Sequence, residues 1–456
     1  MKMIFSVKNF GKIESAKIDI SNFVIFVGNN NSGKTQLMQL IYGILLEIIR
    51  MPYWGVIDGD FKEERKFNKE IVKKAEKHIN RYLQDNKKEI IRKIFKVDIC
   101  IEHMEIKFED LEYDYELTSL TDESINPLLE KGLISEKDIS SYLKDSKEKQ
   151  YIILSKIGSG EQKRITCFRS MKQLPKEFLF SYCLTEIITD LLGFDLDSKN
   201  PLLFLPASRT GLLLLYRNFF ANQPNEDDNG ENDKNVLGLT TPIYNFLQFL
   251  LNYSYNPAIT KKEEELLKFI EQHLIDGKLI EVGDTTFYRE SGTEITTPLY
   301  ISSSMVNEIA PLMKMLTSTQ KYSYIFYDEI ETCLHPLKQV EMARLLNRLN
   351  NNGLKMIIST HSDTMASNIN NLLLLSRGKY KGDVLKKKLE ERCLEKDDLL
   401  KSRDIHVYQF ISDENKTEVS ELEFSEVPFT GYDFSLFNKN AQNIYEETKS
   451  AMGIEK

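Results

Sequence analysis

Gly28-Asn29-Asn30-Asn31-Ser32-Gly33-Lys34-Thr35 fits G-x-x-x-x-G-K-[ST] at every fixed position. Two glycines let the backbone wrap a phosphate chain so that successive N–H groups point inward, at the positive end of the helix that follows. Lys34 supplies a mobile cation for the β- and γ-phosphates, and the Thr35 hydroxyl can ligate Mg²⁺. With Gln36, the next residue, these positions are the candidate ATP-binding set. The context is the one this chemistry needs. A continuous apolar run, Phe23-Val24-Ile25-Phe26-Val27, enters the loop, and an apolar-rich helix is expected from about Thr35 to Arg50.

A second apolar run, Tyr324-Ile325-Phe326-Tyr327, ends in Asp328-Glu329. A strand end beside a phosphate loop is where an α/β sheet presents catalytic groups. Asp328 is expected to hold Mg²⁺ through water, and Glu329 to orient or deprotonate the attacking water. A third run, Met356-Ile357-Ile358, leads into Ser359-Thr360-His361-Ser362, which puts His361 33 residues after Asp328. An imidazole there can donate to a γ-phosphate and report its presence. Ser302-Ser303-Ser304 precedes the expected helix around Ile309-Ala310-Pro311-Leu312. Small hydroxyl residues before a helix offer an anion both side-chain donors and backbone N–H groups, and they also serve as ordinary caps.

The elements that must position these groups are legible as patterns. The runs at 23–27, 324–327 and 356–358 are continuous rather than alternating, as in strands covered on both faces. Phe5-Ser6-Val7 and 16–20 alternate at period two, as half-buried strands do. Residues 61–96 read as a charged helical stretch with 13 Lys or Arg against 6 Asp or Glu, a local balance of +7. That is either a solvated helix face or a footprint for phosphate contacts. Residues 97–118 alternate again with a one-residue slip before Met104. A helical region is expected at about 240–275 and a hairpin at about 279–301. The polar, acidic run 225–233 has nothing to bury and is expected to be a loop. No internal repeat is present.

Composition narrows the classes further. The 456 residues carry 60 Lys plus Arg and 69 Asp plus Glu, a net −9, which excludes a uniformly basic nucleic-acid coat but not a local patch. The five cysteines are scattered without a C-x-x-C pair, against a zinc cluster or disulfide scaffold and in keeping with a reducing compartment. No run approaches the ~20 apolar residues of a membrane helix. The expectation is a cytoplasmic protein with no membrane partner.

As a set, the phosphate loop, the serine element, the Asp328-Glu329 strand, Glu331-x-x-Leu334-His335-Pro336 and Ser359-Thr360-His361-Ser362 resemble the ABC-type ATPase heads of the SMC, RecF and OLD (overcoming-lysogenization-defect) class. The likeness covers about 1–50 and 200–375. It implies an α/β fold, an ABC-type P-loop ATPase head with a mixed β-sheet flanked by helices and an inserted helical/β region. The expected divisions are 1–60 and 200–385 for the head, 61–199 for the insertion and 386–456 for a C-terminal α/β extension. It implies ATP and Mg²⁺ as cofactors, Thr35 and Asp328 as metal ligands, and Glu329, Lys34 and His361 as catalytic residues. It places Ser302, Ser303 and Ser304 where related heads carry the signature that caps the γ-phosphate of the opposite subunit, with Ser304 at a glycine position. Gly158-Ser159-Gly160 matches that signature better in letters, but lies 169 residues before Asp328 (counted from Ser159) where Ser303 lies 25 before it, and reads as a loop. Arg209, in Leu205-Pro206-Ala207-Ser208-Arg209, is either a surface residue or one facing nucleotide or a dimer partner.

OLD nucleases continue into a TOPRIM domain. Here only 95 residues follow His361, 382–456 has no Asp-x-Asp motif and the six histidines are far apart, so no nuclease site is expected. Stand-alone heads of this class resemble the ATPases of bacterial anti-phage systems, where a homodimer or higher homo-oligomer controls a separately encoded effector, a nuclease or toxin. The alternative is a RecF/SMC-like ATPase of DNA repair or recombination, touching DNA through 61–96. A third is a scaffold that binds ATP but barely turns over.

Overall fold

A computed structural model describes residues 2–54, 56, 66–110, 114–120, 150–156, 162–167, 176–194, 200–221, 238–283, 285–378, 380–413, 415–426, 429–434, 443 and 445–452. The chain divides into two compact units. Met1–Ile4, Leu45–Asn86 and Met104–Leu196 form the smaller; Phe5–Ile44, Lys87–His103 and Asp197–Lys456 form the larger. The loop expected at 225–233, and the 158–160 segment that rivals the serine element, lie outside the described residues.

In the smaller unit, Lys66–Phe67, Tyr115–Leu120, Gln150–Lys156 and Gln162–Cys167 pair in that order as an antiparallel sheet. The helix α2 (Lys69–Asp85) is capped by Asn68, whose side chain accepts from the Glu70 and Ile71 N–H groups. Ile71, Val72, Ala75, Ile79 and Leu83 recur every one to four residues and form its buried face. Lys69, Lys73, Lys77 and Arg81, four apart, are exposed on the other side. The alternation expected over 97–118 appears as the strand His103–Glu109, with Met104, Ile106 and Phe108 buried; 97–102 is not strand.

The larger unit is built on a mixed sheet. Its strands are β1 (Lys2–Phe10, in this unit from Phe5 on), β2 (Ile13–Asp19), β3 (Phe23–Gly28), β4 (Leu202–Leu205), β5 (Tyr324–Tyr327), β6 (Lys355–Thr360), β7 (Ile405–Asp413) and β8 (Lys416–Leu422). They lie in the order β1-β2-β8-β7-β3-β6-β5-β4. From β7 to β4 all neighbours are parallel, while β7 and β8 form an antiparallel hairpin. The continuous apolar runs are covered on both faces, as their pattern requires. Ile25, Val27, Ile325, Tyr327 and Ile358 pack with the helices α3 (Ser304–Leu316), α4 (Pro336–Asn351) and α5 (Asp363–Arg377). On the opposite face, Tyr42 of α1 (Lys34–Arg50) sets its ring edge-on to Phe204 and Phe326.

Two boundaries differ from the expected ones. Residues 386–456 do not stand apart from the head: β7 pairs with β3 from Ile405↔Phe23 to Phe410↔Gly28. Lys87–His103, expected in the insertion, groups with the larger unit. The helix expected near Ile309 begins earlier, at Ser304, because Ser303 caps it by accepting from the Val306 N–H at 3.4 Å. Glu308 is thereby carried inward.

Candidate active site

Strands β3, β6, β5 and β4 are adjacent and parallel, so their C-terminal ends emerge side by side. In that order they release the phosphate loop, Ser359–His361, Asp328–Glu329 and Pro206–Arg209. This is the crevice in which open α/β sheets present their chemistry. The loop has the backbone its sequence calls for. Gly28 has φ +152°, and a Cβ there would lie 2.5 Å from the Phe410 backbone oxygen, so β7 itself demands the glycine. Gly33 has φ +88°. Lys34 is buried and donates to the carbonyls of Gly28 at 2.9 Å and Asn29 at 2.8 Å, and to Ser32 Oγ at 3.4 Å. Asn29, Asn30, Asn31 and Thr35 are exposed. The Gln36 side chain lies against Gly11, where an added Cβ would fall 2.8 Å from its Oε1.

Residues 293 positions apart in sequence meet here: Thr35 Oγ1 donates to Asp328 Oδ2 at 2.8 Å. Ser359 Oγ donates to the other carboxylate oxygen at 2.5 Å and accepts from the Glu329 N–H at 2.9 Å, so one hydroxyl orders both acidic residues. Burial pushes the Asp328 carboxyl up, against the bonds from Ser359 and Thr35. Burial likewise pulls the Lys34 ammonium down, against the attraction of Asp328, Glu331 and Glu329. Glu329 is half-buried with φ 45°, a left-handed conformation uncommon outside glycine.

His361 is partnered by Glu331. The carboxylate oxygen Oε1 accepts from the His361 backbone N–H at 2.7 Å and lies 2.9 Å from its Nδ1. The Glu331 side chain raises the imidazole pKa. Burial alone would raise the Glu331 carboxyl, yet the His361 bonds hold it below its usual range. Ser362 Oγ donates to Gln339 Oε1 at 2.7 Å and caps α5. His335 is the N-cap of α4.

Lys34, Thr35, Asp328, Glu329 and His361 thus share one crevice. The serine element does not join it. Among the described residues, none of the hydrogen bonds of Ser302, Ser303 or Ser304 reaches the phosphate loop. Ser302 Oγ donates to the Pro298 carbonyl at 3.2 Å, and Ser303 caps its own helix. Arg209 is neither on the surface nor facing outward; it is buried against Glu308, with Nε 2.8 Å from Oε2. Sequence reasoning missed the roles of Ser359 and Glu331 as orienting partners, and the Arg209–Glu308 pair. Glu331 and Ser359 both stand in motifs the sequence shows, though without these roles, and the Arg209–Glu308 pair has no local signal.

Solved structures similar to the chain include the following three. One is the SmcHead bound to the C-winged helix domain of ScpA, at 11% identity and TM-score 0.36, covering 94% of this chain and 98% of that one. Another is the SMC head domain from Thermotoga maritima, at 11% identity and TM-score 0.34, covering 93% and 100%. The third is the Smc head domain with an extended coiled coil bound to the C-terminal domain of ScpA derived from Pyrococcus furiosus, at 10% identity and TM-score 0.35, covering 98% and 100%. No curated protein matches the chain. Among the described residues no helix is long and apolar enough to cross a membrane. The family model described as the AAA ATPase domain matches residues 1–366, and with its phosphate loop at the head of a parallel sheet the chain belongs to that family of ATP-binding ATPases.

Proposed function

We propose that the chain hydrolyses ATP to ADP and phosphate in this crevice, with Mg²⁺, and that the observation carrying this reading is the Thr35–Asp328 contact at 2.8 Å. A loop hydroxyl and a buried carboxylate are hard oxygen donors suited to Mg²⁺, and a cation there relieves the burial of Asp328. When bound, Mg²⁺ neutralises charge on the phosphates. The loop N–H groups and Lys34 hold the triphosphate, and Gly28 to Gln36 wrap it. Glu329, held in a left-handed backbone conformation and anchored through Ser359, orients and deprotonates the attacking water. His361 contacts the γ-phosphate through Nε2, because Glu331 occupies the Nδ1 side. Glu329→Gln is expected to keep ATP binding and lower turnover by about 100-fold or more; turnover equal to the parent's would remove the assignment.

Ser302, Ser303 and Ser304 are read as the element that meets the γ-phosphate of a second copy, so the working form is a homodimer or higher homo-oligomer. Ser303 and Ser304 are exposed at the start of α3, which supports an intermolecular role. Control of a separately encoded effector in bacterial anti-phage defence, in the cytoplasm, is supported by the motif resemblance. The RecF/SMC-like reading, action on DNA in repair or recombination, has its own observation: Lys69, Lys73, Lys77 and Arg81 form an exposed basic stripe in register with one helix face. Reversing Lys73, Lys74 and Arg81 to glutamate is expected to abolish salt-sensitive DNA binding on that reading. Unchanged binding, or none in the parent, favours the effector role.

A further inference from the structure

Arg209 is 1% exposed and Glu308 2%. Beyond its ion pair, Arg209 donates from Nη1 to the carbonyls of Pro206 at 2.8 Å and Asp328 at 2.7 Å, and from Nη2 to the carbonyl of Glu329 at 3.3 Å. Its guanidinium lies 4.6 Å from the centroid of the Tyr327 ring. Glu308 uses its second oxygen to accept from the Thr210 N–H at 2.9 Å, and the Thr210 hydroxyl donates to the Ser304 carbonyl at 3.3 Å. One cluster therefore joins the first turns of α3 to the backbone on both sides of the peptide linking Asp328 to Glu329.

Filling this space with a buried ion pair is costly, since both charges lose water, and apolar side chains of similar volume serve stability as well or better. What a guanidinium does that an apolar side chain cannot is hold several carbonyls in a fixed relation to a carboxylate. Two of those carbonyls belong to the acidic residues of the site. Glu329 has φ 45°. A non-glycine residue keeps such a conformation only where its surroundings hold it. Ser359 holds the N–H of Glu329 and Arg209 its C=O.

We propose that Arg209 and Glu308 are a positioning pair that couples the Ser302–Ser304 element to the Glu329 carboxylate, so that engagement of the serines sets the water-activating geometry. Glu308 lies one turn inside the helix that Ser303 caps. Displacement of that first turn moves Glu308, Glu308 draws Arg209, and Arg209 moves the carbonyl of Glu329. A shift of ~1 Å at a reacting group is enough to change a rate ~100-fold. The proposal rests on the reading above, that Glu329 acts on water and the serines meet a γ-phosphate.

The test compares Glu308→Gln, Thr210→Val and Glu329→Gln with the parent, as full chains, by steady-state ATP turnover, equilibrium binding of a fluorescent ATP analogue and thermal melting. Glu308→Gln keeps the shape and removes the charge. It is expected to bind the analogue within about twofold of the parent, keep KM and lower kcat by about tenfold or more. Thr210→Val removes only the hydroxyl that reaches Ser304, and is expected to lower kcat by about threefold at unchanged KM. A merely structural pair would move melting, or KM and binding, and leave kcat per folded molecule alone; that result overturns the proposal. If Glu308→Gln does not fold, Thr210→Val decides: lower kcat at constant KM supports coupling, and parental kcat overturns it. Glu329→Gln separates the two levels. If it retains full turnover the functional reading itself falls. If it is inactive while the other two turn over at the parental rate, only the coupling falls.

Discussion

Two buried carboxylates of the larger unit, Asp398 and Glu331, face different cations. Asp398 is 0% exposed and takes Arg344 at 2.9 Å and Arg348 at 2.6 Å, while its backbone carbonyl accepts from Asn347 Nδ2 at 2.8 Å. Glu331 is 7% exposed and takes the imidazole and backbone N–H of His361. Guanidinium stays charged at any pH a protein meets, so the Asp398 cluster is a permanent brace between α4 and the turn at 395–399. Imidazole gains and loses its charge near neutrality, so the Glu331 pair changes state in that range. The lesson is that burial alone does not mark a functional carboxylate; the partner's chemistry and the strand end it sits on do. Asp398 lies on a 3-10 turn remote in sequence from the loops of the crevice, and Glu331 three residues after Asp328.

The larger effect belongs to the brace. Asp398→Ala removes the carboxylate that buried Arg344 and half-buried Arg348 share, leaving Arg344 with Glu341 at 2.7 Å and Arg348 with Glu395 at 2.8 Å, and is expected to lower the free energy of unfolding by about 3 kcal/mol. Denaturant titration reads this as an earlier transition. ATP turnover per folded molecule should stay within about twofold of the parent, since no atom of the crevice is touched. A loss of turnover at intact folding would break the contrast by making the Arg344–Arg348 cluster part of the site.

The division between what was legible and what was not follows the range of the interactions. The phosphate loop, the three buried strands and Asp328-Glu329 are written in contiguous patterns, because a loop cradle and a covered strand are each specified by neighbours in sequence. The helix at 69–85 was legible only coarsely, as part of the charged helical stretch at 61–96. The insertion of β7 beside β3 was not: pairing of Ile405 with Phe23 joins segments separated by nearly the whole chain, and nothing local marks 405–422 as a sheet centre. Arg209 escaped for the same reason. Its partners Glu308, Asp328 and Glu329 lie 99 to 120 residues away, and an arginine in a Pro-Ala-Ser-Arg turn carries no sign of being buried. Ser359 was visible only as part of a motif, whereas its work, ordering both acidic residues through one hydroxyl, is a matter of register between β5 and β6.

The smaller and sharper effect belongs to Glu331. A carboxylate accepts, so when Glu331 takes the Nδ1 proton of His361, Nε2 can donate to a phosphate only if the ring carries both protons. The side-chain bond that His361 donates to Glu331 raises the His361 pKa, which keeps that doubly protonated form populated to higher pH. The sign follows: the pair's contribution is fully present below the ordinary imidazole pKa and is lost as pH rises through the raised one. On the acid side, the lowered Glu331 carboxyl loses the pair only when pH falls through its own depressed value. Turnover should therefore show an alkaline fall set by His361. Glu331→Gln removes the charge and keeps a hydrogen-bonding side chain, so that fall moves to lower pH while turnover at mildly acidic pH drops by about tenfold or less. The Asp398→Ala profile should not move at all. Measuring kcat against pH for both variants checks the contrast directly. A Glu331→Gln profile that scales down uniformly, with its alkaline limb where the parent's lies, would show the pair to be a second brace and not a titrating contact.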